Sequence, residues 1–202
     1  MKHLNEFITE KLKINSKLSV YSCQPKTKKE LKEIIAERLK EDKNANLNDI
    51  DVSLITNMNR LFSELTPHKI DISEWDVSNV ESMIAMFECC HELECDVSKW
   101  DVSNVITMSS MFYQCHYFNS DLSNWDVSKV ESMDAMFINC YELDCDLSKW
   151  NTEMLTNMEE MFYGCIKLRT DVSNWNHQNI VMHKRAFSLS KIKVPEWYEA
   201  LK

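Results

Sequence analysis

Residues 100–125 read WDVSNVITMSSMFYQCHYFNSDLSNW, and residues 125–150 restate the pattern as WDVSKVESMDAMFINCYELDCDLSKW. The tryptophans recur at Trp75, Trp100, Trp125, Trp150 and Trp175, with Ile50 in the same register upstream, so the chain repeats every 25 residues without insertion. Other columns agree. Phenylalanine stands at Phe62, Phe87, Phe112, Phe137, Phe162 and Phe187, and methionine at Met58, Met83, Met108, Met133 and Met158. Asp71, Asp96, Asp121, Asp146 and Asp171 are each followed two positions on by a serine, from Ser73 to Ser173. A fixed period of this length is the signature of a solenoid, in which each unit buries its apolar side chains against its neighbours and none is stable alone.

Within a unit, the spacing of Val105, Met108, Met111, Phe112 and Cys115 predicts a short amphipathic helix. Ser78 with Glu81 and Ser128 with Glu131 fit the capping box that starts one. The DVSxW stretch, as in 121–125, predicts one extended strand. The expected fold class is therefore an α/β repeat solenoid, a curved leucine-rich-repeat-like stack with one short parallel strand and one short helix per coil. Strands stack more closely than helices do, which puts the strands on the concave side. Val97, Trp100, Val102, Val105, Met108, Met111, Phe112, Cys115 and Phe118 are the expected inward positions.

The motifs WDVSNVESMIAMF, WDVSNVITMSSMFYQC and FNSDLSNWDVSKVESMDAMF resemble the BspA-like leucine-rich repeat family over residues 46–187. The resemblance implies a bacterial or phage protein, in particular one of a gut bacterium or its phage, that presents its solenoid surface to protein partners. Its surface-exposed members carry an export signal. The opening MKHLNEFITEKLKIN lacks a signal-length apolar core, so a cytoplasmic chain is expected here, in the host cytoplasm if phage-encoded.

Helical caps are expected at both ends. The first, 1–45, includes a helix over 27–41 with Thr27 and Glu30 as capping box, and an upstream amphipathic segment with Leu4, Phe7, Ile8 and Leu12. The solenoid, 46–187, has five full repeats and a decayed one. The last segment, 188–202, starts a helix at Pro195 and turns Trp197 and Leu201 inward.

The net charge of −9 argues against a nucleic-acid partner, whose affinity would rest on Lys and Arg. Nothing approaches a membrane-spanning run. With one glycine in the chain there is no phosphate-binding loop, and near-identical coils offer no unique catalytic constellation. The chain reads as non-enzymatic and without cofactor. Cys90, Cys115, Cys140 and Cys165 share a column with Leu65 and read as packing, whereas Cys89, Cys90, His91 and Cys95 offer a weak zinc alternative. The aspartate columns read as turn acceptors, with calcium as the alternative.

Function then falls to positions that the repeat leaves free. Tyr113, Tyr117, Tyr141, Tyr163, His91 and His116 on one flank, and Lys99 and Lys149 beside the tryptophans, are the candidate partner-binding residues. The expected partner is a protein, without nucleic acid or membrane. The competing reading is a structural, self-assembling or virion-associated component that oligomerises through its terminal helices.

Overall fold

The computed structural model describes residues 21–201. The segment carrying Leu4, Phe7, Ile8 and Leu12 lies outside the described residues. Two helices are present among them, α1 (Lys28–Glu41) and α2 (Glu196–Ala200), both outside the repeats. This corrects the expected α/β fold class. No repeat contains a helix, and the described residues form isolated parallel bridges rather than a sheet.

Each 25-residue unit is instead a coil of successive turns. In one coil, N–H groups of Trp100, Val105, Met111, Cys115 and Phe118 donate to the carbonyls of Val97, Val102, Met108, Phe112 and Cys115, three residues back, at 2.9–3.2 Å. The three-residue spacing of apolar positions comes from these turn corners. Helix is blocked at two points. Ser110 (φ 56°) and Gln114 (φ 58°) are left-handed, as the third residue of a type II turn requires, and the same two columns are left-handed at Arg60, Glu64, Ala85, Cys89, Ala135, Asn139, Glu160, Arg185 and Leu189. Gly164 holds one of these positions with φ 76°.

The backbone donors explain why turns win over helix. Along 108–115 they alternate between two destinations. Met111, Tyr113 and Cys115 close turns within the coil, while Met108, Ser110, Phe112 and Gln114 donate to Ser132, Asp134, Met136 and Ile138 of the next coil at 2.7–3.0 Å. A helix would satisfy all of these groups locally and leave nothing to join one coil to the next. The residues expected to begin helices serve elsewhere: Ser78 N and Oγ both donate to Asp76 Oδ1, at 3.1 and 2.6 Å. Without helices opposite strands, the expected reason for curvature also disappears.

A second row of contacts runs through Asn57, Ser82, Thr107, Ser132, Asn157 and Met182, each bridged in parallel to the next. The inward positions named above are all buried. Phenylalanine rings from Phe62 to Phe187 stack coil on coil with centroids 4.9–6.0 Å apart. Each tryptophan from Trp75 to Trp175 donates its indole N–H to a carbonyl of the preceding coil at 2.9–3.0 Å, Trp125 to Val97 for example. Such an aromatic buries a large area while its one polar atom stays satisfied.

At the N-terminal end α1 lays Leu31, Ile35 and Leu39 on the first coil. Thr27 caps it by accepting from Glu30 N, while Glu30 Oε2 reaches back to Lys26 N at 2.8 Å. At the other end Pro195 precedes α2, which buries Trp197 and Tyr198 over Phe187.

Candidate protein interface

The coil geometry sorts the candidate residues into three groups. His91, His116 and Tyr141 stand one residue after the buried cysteines of successive coils, so their rings stack on the flank, with centroids 4.8 and 4.7 Å apart. His91 Nδ1 lies 3.0 Å from Gln114 O. Burial and the neighbouring His91 hold His116 below the ordinary histidine range. Tyr117 follows His116 and is 58% exposed.

Tyr117 also lines an open groove of about 970 Å³ that crosses several coils. Asp71, Asp96, Asp121, Glu94 and Glu142 line it with Lys69, Glu142 being paired with Lys167, and an adjoining hollow continues to Asp144 and Asp146. The aspartates read as turn acceptors, with calcium as the alternative, do close turns, and Asp71, Asp96 and Asp121 also line the groove. Oδ1 of Asp71, Asp96, Asp121, Asp146 and Asp171 accepts the N–H of the serine two residues on, at 2.9–3.2 Å. The serine hydroxyl and N–H hold the Asp96, Asp121 and Asp146 carboxyls below the usual value, so they stay ionised at neutral pH although neighbouring carboxylates oppose this at Asp121. The regular Asp columns carried that signal; the groove that joins them to Tyr117 depends on the turn geometry.

The remaining candidates lie elsewhere. Tyr163 sits beneath the Arg185 guanidinium, 4.5 Å from the ring centroid, and Arg185 is paired with Glu160. Tyr113 is half-buried, near Gln114 Nε2. Lys99 pairs with Glu74 at 3.1 Å, and Lys149 is exposed in the same column two coils on.

The cysteine column is more than filler. Cys90, Cys115, Cys140 and Cys165 each place Sγ 3.0–3.5 Å from the carbonyl of a phenylalanine in the preceding coil. Burial pushes these thiols up, Cys90 and Cys165 to about 12, which keeps them as S–H donors. Among the described residues, no three His, Cys, Asp or Glu side chains are grouped to hold a metal.

The family described as Mycoplasma protein of unknown function, DUF285, matches residues 29–144 and 91–195, and so spans the coils, α1 and part of the C-terminal segment. The chain belongs to this family. No curated protein and no solved structure matches the DUF285 chain. No described helix of this DUF285 protein is long and apolar enough to cross a membrane.

Proposed function

We propose that this DUF285 chain is a non-enzymatic protein-binding module whose partner lays a basic segment along the Asp71–Asp96–Asp121 groove. The observation that carries this reading is Tyr117 lining the groove beside Asp71, Asp96 and Asp121, with His116, its chain neighbour, in the ring stack of His91 and Tyr141. Carboxylates one coil apart repel one another, and Lys or Arg side chains entering the groove relieve that repulsion. The rings supply contact area at small entropic cost. BspA-like kinship, a phage or gut-bacterial origin and action on a host protein in its cytoplasm belong to the same proposal.

The test is crosslinking in the native host to identify a partner, followed by affinity measurements on purified proteins. Asp96→Asn with Asp121→Asn, and separately Tyr117→Ala with Tyr141→Ala, are each expected to weaken binding about tenfold or more. Raising salt is expected to weaken the original chain more than the double-Asn variant. Unchanged affinity in both double variants refutes this choice of face. A chain that light scattering finds only as an oligomer, with these residues buried between copies, supports the self-assembling alternative instead.

A further inference from the structure

Every interior coil directs half of its turn-segment donors forward. Met158, Glu160, Phe162 and Gly164 donate to the carbonyls of Met182, Lys184, Ala186 and Ser188 at 2.8–3.0 Å. One coil later the same positions are His183, Arg185, Phe187 and Leu189. Among the described residues, none of their N–H groups has an acceptor.

The apolar interior at this end is nonetheless closed. Trp197 donates its indole N–H to Val172 O at 3.2 Å, continuing the tryptophan series, and covers Phe187 together with Tyr198. The cap seals the core and touches the backbone edge at one point, where Tyr198 Oη donates to His183 O at 2.8 Å, and leaves the forward N–H groups untaken. Val181 and Leu189, near the two ends of that edge, are 75% and 68% exposed. Lys184 stands on it, and Lys191 and Lys193 follow, all exposed.

The polarity of the edge restricts what fits. Carbonyls of Met182, Lys184, Ala186 and Ser188 face back into the stack, and those of His183, Arg185 and Phe187 close turns with Ala186, Ser188 and Ser190. Over 183–189 the outward groups are donors; the one forward acceptor stands just before them, Val181 O, whose counterparts from Thr56 to Thr156 each accept from the following coil. Two such edges would set donor row against donor row along 183–189, with Val181 O as the one acceptor each could offer, so two copies do not pair end to end along this stretch. The opposite end of the stack is covered by α1, with Lys32 Nζ on Arg60 O at 2.9 Å, so a second copy does not offer its carbonyls head to tail either.

We infer that residues 182–189 form a docking edge for an extended, acidic segment of a partner protein, aligned parallel to the edge. Its carbonyls take the N–H groups of His183, Arg185 and Leu189, as each interior coil does for its neighbour. Its acidic side chains meet Lys184, and its apolar ones cover Val181 and Leu189. The edge is separate from the acidic groove, and either site operates without the other.

The probe is the peptide LTNMEEMFYG, residues 155–164 of this chain, which places two glutamates in register with Lys184 and Arg185. Amide hydrogen exchange on the full chain supplies the readout. In the free protein the Arg185 and Leu189 amides are expected to exchange at least about tenfold faster than their counterparts Glu160 and Gly164. Saturating peptide slows them about tenfold, and Lys184→Glu weakens the peptide while strengthening a form with both glutamates changed to lysine. The inference is overturned if millimolar peptide leaves both amides fast. It is equally overturned if they are already slow in the free chain, if their protection grows with protein concentration alone, or if Lys184→Glu leaves both peptides unaffected.

Discussion

Replacing Ser110 and Gln114 by glycine tests the turn-built coil directly. Both residues have φ near +57°, with φ 56° at Ser110 and 58° at Gln114. A side chain in that region costs about 1–2 kcal/mol, and glycine removes the cost. Glycine also loosens the unfolded chain, which offsets about 0.4–1 kcal/mol per site. Little else is lost, since the Gln114 side chain makes only long contacts, 3.4 Å to Tyr113 Oη and 3.8 Å to Cys89 Sγ. The double variant is therefore expected to gain about 1–2 kcal/mol, and about 2–4 °C in Tm for each kcal/mol at this chain length. Urea unfolding followed by tryptophan fluorescence, with an unchanged slope, measures it. Were 105–115 a helix, the same two glycines in place of Ser and Gln would cost about 1 kcal/mol together. A loss of that size refutes the coil geometry, because the two structures predict opposite signs.

Other expectations follow from the stacking. Trp125→Phe removes the bond to Val97 O and part of a buried ring, and is expected to cost about 2 kcal/mol by urea unfolding. Thiol labelling of the native chain at pH 8 is expected to modify exposed Cys89 first and to spare Cys90, Cys115, Cys140 and Cys165, read by mass spectrometry of the peptides. Hydrogen bonds from Ser98, Ser103 and Ser123 hold Asp96, Asp101 and Asp121 below the ordinary 3.8. A depressed folded-state value contributes stability that is complete above the unfolded value and lost as pH falls through the folded one. Thermal unfolding should thus show a small decline below pH 6.5, where the unfolded chain takes up the proton that folded His116 resists, and a larger one as the pH passes 3.8 and below.

The periodicity gave the register, the buried set and the aspartate turns, because these depend on which residue types recur. It misassigned the element between them. An i, i+3, i+4 pattern is shared by a helix face and by a chain of turns with a three-residue step, and the difference lies in the backbone. Left-handed positions filled by Ala85, Ser110, Ala135 and Glu160 carry no glycine to announce them; Gly164 alone hints at one of the two columns. The capping pairs were misleading for a related reason. Ser78 serves the Asp76 turn, a local bond that any DxS triplet makes available. On the surface, His91, His116, Tyr141 and Tyr117 could be named from variability within the repeat, but that Tyr117 lines the acidic groove depends on coil geometry. Tyr163 was named by the same logic, and Arg185, one coil away, covers it.

The indole bonds reach back 28 residues and the backbone ladder about 25, so contacts of an interior coil reach no farther than the coils adjoining it. A gene segment encoding 25 residues can consequently be duplicated from any starting codon, even mid-turn, and still yield a complete coil at the new junction. Unequal crossing-over would lengthen the groove by one aspartate at a time without posing a new folding problem. Descendants of one ancestral array would then differ in reach before they differ in structure, and a binder's span becomes a trait inherited in whole units.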